Sequence, residues 1–208
     1  MHRKIKQFLV LTKLIGAFFF LLQCNSTQDE KISVKRVING KIVEDSLLYV
    51  LPEFSLISHT GDTINQNKVL GKWLVVDFFF TNCPSICPKM KAQILRVYEK
   101  FKGRDDFLIL SVSIDPQRDT VEALRNYATK LGINNNWYFL TGNKGEIYNT
   151  ADKMLIAAEE DPESPGGFAH SGNFILIDPK GRIRGYYDGT NPSSVDKLIN
   201  EIEKVLTM

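Results

Sequence analysis

Two cysteines, Cys83 and Cys87, are the residues of this 208-residue chain whose type and spacing best suit chemistry. They stand four positions apart in TNCPSICPKM, and a proline follows each of them. Thiolates are redox nucleophiles and soft metal ligands. The pair therefore predicts a disulfide-forming couple, a metal site or both, with a purely structural disulfide as the plainest alternative.

The element that positions these thiols is indicated by the preceding run WLVVDFFF, residues 73–80, which is typical of a central strand covered on both faces. Pro88 lacks an N–H and is best tolerated at the first position of a helix. We therefore expect Cys87 at the N-cap of a helix that begins at Pro88. Both sulfurs would then lie near the positive end of a helix dipole, which favours thiolate.

A third donor is needed to complete a metal site, and His170 in PESPGGFAHSGNF is the best candidate. In the expected fold, this loop passes over the cysteine end of the central strand. We expect His59 in a surface turn and Met90 in the core of the helix face rather than at the site. Two sulfurs and one imidazole suit copper, with Cu(I) favoured by the thiolates, whereas zinc normally wants a fourth ligand.

Three aspartates are candidate neighbours of the site. Asp77 lies inside the apolar run, where burying a carboxylate is costly unless it is paired or functional. A role in supporting the site and a purely structural role are therefore equally open. Asp115 ends the next predicted strand and could approach the site. The favoured interpretation is that Asp115 starts a turn and that Asp119 caps the following helix.

Strand and helix patterns alternate along the rest of the chain. The order predicts an α/β, thioredoxin-like three-layer sandwich with a mixed central sheet and an N-terminal β-hairpin that turns at residues 60–62. Further strands are predicted at 106–115, 136–140, NFILID and RIRGYYD, with helices after Pro88, near 121–131, at 146–158 and after Asn191-Pro192. We expect one such domain, residues 46–208, preceded by a polar tether at 24–45.

Residues 1–23 are predicted to be a signal peptide. A basic start precedes an apolar core of about nine residues, too short for the roughly 20 needed to span a bilayer. LLQC resembles a bacterial lipobox, with Cys24 as the lipidated residue and an unusual Gln23 before it. The alternatives are a signal anchor that is not cleaved, or cleavage of the signal peptide without lipidation. We expect an exported, membrane-anchored protein of the cell envelope that faces the periplasm.

Composition argues against nucleic-acid binding. The chain has 26 basic and 24 acidic residues, and without the four basic residues of the leader its formal charge is −2. No long basic run is visible.

The stretches DFFFTNCPSICPKM, SVSIDPQRDT and AHSGNFILIDPKGR together resemble the Sco/SenC family of copper-handling proteins, over residues 48–207. The resemblance implies that Cys83, Cys87 and His170 bind one copper ion, as Cu(I) or Cu(II). Asp77 and Asp115 are then candidates to support these ligands without touching the metal. The family usually has an aspartate where this chain has Ala169, which could alter affinity or redox tuning without removing a ligand.

Two functions compete on this evidence from the sequence. The resemblance implies a copper chaperone that metallates, or keeps reduced, the copper A site of a cytochrome c oxidase subunit. The alternative is a thiol-disulfide oxidoreductase that uses Cys83 and Cys87 without metal, supplied by a thiol reductant, with the order of attack left open. A peroxidase is disfavoured because the segment lacks the P-x-x-x-T-x-x-C arrangement of peroxiredoxins.

Overall fold

The computed structural model describes residues 34–38, 41–45 and 50–207. The chain divides into two compact units between residues 47 and 48. In the first unit, strands β1 (Val34–Ile38) and β2 (Lys41–Asp45) form an antiparallel pair that the predicted polar tether did not include. Residues 1–23 and Cys24 lie outside the described residues, so the leader and lipidation predictions remain predictions. No helix among the described residues is long and apolar enough to cross a membrane.

The second unit alternates strands and helices as expected. Its strands are β3 (Ser55–Ser58), β4 (Thr63–Asn65), β5 (Trp73–Phe79), β6 (Phe107–Ser113), β7 (Trp137–Thr141), β8 (Ala158–Glu160), β9 (Phe168–His170), β10 (Asn173–Ile177) and β11 (Ile183–Asp188). Its helices are α1 (Gln66–Val69), α2 (Cys87–Phe101), α3 (Val121–Lys130), α4 (Lys144–Lys153) and α5 (Pro192–Leu206).

Seven of these strands form one mixed sheet in the order β11-β10-β5-β6-β7-β3-β4. Strands β5, β6 and β7 run parallel, and the flanking pairs are antiparallel. Every residue of β6 is buried, so both faces of the sheet centre are covered, which is what the apolar runs predicted. The α/β sandwich with a mixed central sheet and an N-terminal hairpin is therefore confirmed.

Three helices differ from their predicted bounds. The helix predicted at residues 146–158 is α4, Lys144–Lys153, and Ala158–Glu160 form strand β8 instead. Helix α2 begins at Cys87, with Ile86 at the N-cap, so Pro88 is the second helical residue rather than the first. The N–H groups of the whole first turn lack helical partners, so proline is tolerated at either position. The predicted cap of α3 is wrong: Thr120, not Asp119, accepts the hydrogen bond from the Ala123 amide, at 3.2 Å.

Strands β8 and β9 form a separate two-stranded sheet outside the seven-stranded one. We call residues 158–170 the histidine hairpin, because His170 is its last residue. It pairs with itself through Ala158–His170, Glu159–Ala169 and Glu160–Phe168. The position of this hairpin therefore depends on side-chain contacts as well as on its continuity with the chain.

Candidate metal centre

The structure brings the three predicted donors together at the end of β5. Cys83 lies in the cysteine loop, residues 80–86, Cys87 opens α2, and His170 closes β9. Their ligand atoms all lie within 4.8 Å of one another, so they could hold one metal ion. The Cys87 Sγ and His170 Nε2 atoms are 3.4 Å apart. Both thiols are reduced and each cysteine is only 8% exposed.

The backbone fixes the tautomer of His170. Its Nδ1 lies 3.1 Å from the Ser171 carbonyl oxygen, which can only accept, so Nδ1 carries the proton. Nε2 is thereby left with a lone pair directed at the sulfurs. Burial lowers the pKa of His170, partly offset by the bond to Ser171. The imidazole is thus neutral near pH 7, which is the form that binds metals.

The two thiols are unequal. Burial alone would raise the pKa of Cys83, but hydrogen bonds with Cys87 and Ser85 outweigh it and lower that pKa. Burial, the hydrogen bond with Cys83 and the nearby Asp77 raise the pKa of Cys87. Cys83 is therefore the sulfur that ionises first, with Cys87 as its proton-bearing partner.

Aromatic rings hold the histidine hairpin against the cysteine loop. The Phe80 ring packs on Phe168 at 5.1 Å and on the edge of His170 at 5.8 Å between centroids. Gly166 makes this approach close, because a Cβ there would lie 2.7 Å from the Phe80 ring and 3.1 Å from Pro84. Gly167, its neighbour, has the same φ of +87° but open space where a Cβ would lie.

This difference predicts unequal effects of alanine at the two glycines. Both substitutions carry the strain of a positive φ, roughly 1 kcal/mol, and Gly166→Ala adds the clash with Phe80. We expect Gly166→Ala to lower the free energy of unfolding by about 1–3 kcal/mol more than Gly167→Ala does. Urea unfolding of both metal-free variants measures the difference. Equal urea midpoints for the two variants would show that the Phe80 ring can move aside without a loss of stability.

Asp77 lies behind the site rather than in it. It is 4% exposed, and the Ser111 hydroxyl donates to its carboxylate while Trp137 Nε1 donates to the Ser111 oxygen at 2.8 Å. Asp77 and Cys87 line a common cavity of about 20 Å³. Burial raises the pKa of Asp77 to about 7, against the opposing effect of the Ser111 bond. Asp77 therefore shares a cavity with Cys87 without contributing to the three-donor cluster.

Two other expectations from the sequence meet different outcomes. Met90 is a core residue of α2, 2% exposed, as predicted. The surface placement of His59 is wrong: it is 8% exposed, and its Nδ1 accepts from the Phe139 amide at 3.3 Å. The turn containing His59 lies against β7, so its ring is covered by a neighbouring strand that local sequence does not reveal. Burial, followed by the charge of Arg125, lowers the pKa of His59.

The aspartates after β6 reach the site only through intermediaries. Asp115 pairs with Arg118, and Arg118 in turn contacts the histidine hairpin. Asp119 is 1% exposed and accepts from the Thr81 amide at 3.0 Å. Sequence reasoning missed Thr81 and Arg118; their place inside DFFFTNCPSICPKM and SVSIDPQRDT was the only signal for them.

The comparisons with known proteins agree with this geometry. The sequence profile described as SCO1/SenC matches residues 45–207. The chain belongs to the SCO1/SenC family. The SCO1 protein homolog of Bacillus subtilis is 30% identical over 172 residues, covering 81% of this chain and 89% of that protein.

Three solved SCO1/SenC-type structures share the fold. A SCO1/SenC family lipoprotein from Bacillus anthracis is 28% identical, with a TM-score of 0.68, covering 76% of this chain and 95% of that one. BsSco, described as a cytochrome c oxidase assembly protein with a disulfide switch, is 31% identical (TM-score 0.66; 76% and 93% covered). Arabidopsis thaliana ScoI with copper bound is 26% identical (TM-score 0.63; 74% and 99% covered). The thioredoxin-like fold prediction is confirmed.

Proposed function

We propose that this protein is a copper chaperone that binds one copper ion through Cys83, Cys87 and His170. The observation that carries the proposal is the convergence of two sulfurs and one imidazole nitrogen within 4.8 Å. Support comes from the copper-bound ScoI structure, a relative with the same fold.

The chemistry of the donor set fits copper as cargo. Soft thiolates favour Cu(I), and three donors are sufficient for that ion. A neutral imidazole with Nδ1–H held by the Ser171 carbonyl offers Nε2 without a competing proton. Zinc would take the same residues but normally requires a fourth ligand.

The acceptor that we propose is the copper A site of a cytochrome c oxidase subunit, which this protein would metallate or keep reduced. The description of BsSco as an oxidase assembly protein supports this assignment. Copper would pass by ligand exchange: an acceptor thiolate replaces His170 first, because His170 alone comes from the separate hairpin. A thiol reductant would return Cys83 and Cys87 to the reduced state.

The cellular setting is part of the same proposal. Residues 1–23 would direct export, lipidation of Cys24 would anchor the chain, and residues 24–45 would tether the 46–208 domain on the periplasmic side. The family lipoprotein from Bacillus anthracis supports an envelope location. A lipid anchor keeps the donor near a membrane-bound acceptor.

The test is a Cu(I) competition titration of the reduced full chain against a chelator of known affinity. We expect one tightly bound copper per chain, and an affinity at least about tenfold lower in His170→Ala. His59→Asn is the control, because His59 is a buried histidine that lies outside the three-donor cluster. No tight copper in the reduced wild type would contradict the chaperone.

A thiol-disulfide oxidoreductase is the second candidate, favoured by the unequal pKa values of the two thiols. The Cys83 thiolate would attack a partner disulfide and form a mixed disulfide, releasing one partner thiolate. Cys87 would then lose its proton and attack the Cys83 sulfur, releasing the second. Two electrons pass to the partner and a Cys83–Cys87 disulfide remains, which the thiol reductant reduces. A chain without tight copper but with a reducible pair would support this candidate.

A further inference from the structure

The loop between β6 and α3, residues 114–120, contacts both parts of the candidate metal centre; we call it the bridging loop. Two adjacent residues make these contacts in opposite directions. Asp119 reaches the cysteine loop, and Arg118 reaches the histidine hairpin.

The Asp119 side of the loop is buried and fully bonded. Its carboxylate accepts from the Thr81 amide at 3.0 Å, from the Thr81 hydroxyl and from the Ser113 hydroxyl at 2.6 Å. Thr81 is two residues before Cys83, whose amide donates back to the Phe80 carbonyl at 3.3 Å. These bonds offset the cost of burying the charge, and they fix the chain that leads into the first thiol.

The Arg118 side is half-exposed. Arg118 Nε donates to the Asp115 carboxylate, Nη2 donates to the Gly166 carbonyl at 3.1 Å, and the guanidinium lies 5.5 Å from the centre of the Phe168 ring. Its side chain is 49% exposed, whereas that of Asp115 is 5% exposed. A guanidinium can make all three contacts at once because it is planar and carries five donors.

The two strands of the histidine hairpin are not part of the main sheet. The hairpin therefore needs contacts such as those of Arg118 to hold it in place. Its own three residue pairs hold β8 to β9 but do not fix the hairpin over the cysteines. Contacts with other elements do so: Phe80 packs on Phe168, Arg118 donates to the Gly166 carbonyl, and Lys144 of α4 pairs with Glu160 at 2.6 Å. The Phe80 ring is buried, whereas the Arg118 and Lys144 contacts are half-exposed and open to a docking partner or to solvent. An exposed ion pair such as Lys144–Glu160 contributes little to stability, and Arg118 is the one of these two cations that contacts Phe168.

We propose that Arg118 is a positioning residue that holds the histidine hairpin closed over the cysteine pair, while Asp119 ties the same loop to the cysteine side. The bridging loop then sets how fast the cargo leaves. The part that concerns copper rests on the proposed function; the closure of the hairpin does not.

The first experiment measures closure without copper. Amide hydrogen exchange of the reduced, metal-free full chain should be followed at Ser171, which donates to the Ala157 carbonyl, and at Asp161, which donates to Gly167. Both bonds join the two arms of the hairpin, and an isolated two-stranded hairpin is only marginally stable, so they open once the hairpin leaves the cysteine loop. We expect about tenfold faster exchange at both amides in Arg118→Met, from the lost charge-assisted bond and cation–π contact. Arg96→Met, which removes another half-exposed arginine and its pair with Asp196, should not change them. Unchanged exchange in Arg118→Met would overturn the proposal.

The second experiment measures the transfer of Cu(I) to a chelator. We expect copper to leave Arg118→Met about tenfold faster than wild type, with Arg118→Lys between the two, since lysine keeps the charge but not the fork. In a His170→Ala background, Arg118→Met should have no further effect, because Arg118 acts through His170.

The effect of replacing Asp119 should not depend on His170. Asp119→Asn should speed copper loss in both backgrounds, because it acts through the cysteine loop. Thr81→Val removes one of the same hydrogen bonds from a less buried position and keeps the test open if Asp119→Asn fails to fold.

An Arg118→Met effect that persists without His170 would show a general structural defect and would refute the assigned role. A chain that binds no copper, yet shows the exchange difference, would refute the proposed function and leave the hairpin closure standing.

Discussion

Replacing Cys83 with serine should lower the Cu(I) affinity of the chain by well over the roughly 100-fold that loss of an outer partner costs. Serine is almost the same size, but its hydroxyl is a hard donor that stays protonated at neutral pH. The site would keep only Cys87 and His170, one of which bears a proton in the free protein. The measurement is the Cu(I) competition titration.

Ser85→Ala is the matched control for this result, because the Ser85 hydroxyl lies 3.6 Å from Cys83 Sγ, yet a hydroxyl is a hard donor that Cu(I) does not favour. It should change the affinity far less than Cys83→Ser. A Cys83→Ser chain within tenfold of wild type would contradict the assignment of Cys83 as a ligand.

The same titration should depend on pH through Cys87. Its pKa is raised, so copper must displace its proton, and wild-type affinity should increase with pH. Cys87→Ser should bind weakly and should release about one proton fewer per copper. An affinity that is flat between about pH 6 and 8 would mean that Cys87 is not a ligand.

Replacing Asp77 with asparagine should stabilise the metal-free protein at pH 8 by up to about 4 kcal/mol. The pKa of Asp77 is about 7 in the folded chain, against 3.8 for an ordinary aspartate. Below pH 3.8 the group is protonated in both states and has no effect. As pH rises toward 7 the unfolded chain ionises first, so stability falls, and the full cost is present above pH 7. Asparagine keeps an oxygen for the Ser111 hydroxyl and cannot ionise.

Urea unfolding at about pH 3, 5.5 and 8 measures this difference, which should grow with pH. Asp178→Asn is the control with the opposite sign. Asp178 is equally buried, at 4% exposed, but its carboxylate accepts from Arg182 Nε at 2.7 Å and from the Lys180 amide at 3.0 Å. Losing those bonds should destabilise the chain at pH 8. A wild type and Asp77→Asn with the same pH profile would show that Asp77 ionises in the fold without cost.

Much of the fold could be predicted because its signals are local. The run 73–80 predicts β5, and Asn191-Pro192 predicts the start of α5, where Asn191 accepts from the Ser193 amide at 3.0 Å. The three candidate ligands could be chosen for a similar reason. Cysteine and histidine are rare in this chain, and Cys83 and Cys87 are close together in sequence.

What could not be predicted depends on contacts between distant segments. Asp119 follows the pattern of a helix cap, yet its partner Thr81 is 38 residues away in the cysteine loop. His59 lies in a sequence typical of an exposed turn, but it is covered by β7, 80 residues further on. Arg118 is an ordinary loop arginine until the histidine hairpin is placed beside it. A single sequence contains no signal for such pairings.

The spacing of the three donors also determines what copper can contribute to folding. Cys83 and Cys87 remain four positions apart in an unfolded chain and can chelate Cu(I) there, whereas His170 lies 83 residues from Cys87 and joins them only in the native fold. A ligand stabilises a protein only by the difference between its affinities for the folded and unfolded states. The dithiol pair contributes little to that difference, so the gain in thermal stability from copper reports chiefly on the imidazole. His170 is therefore the residue that makes copper bind the folded protein more tightly than the unfolded chain.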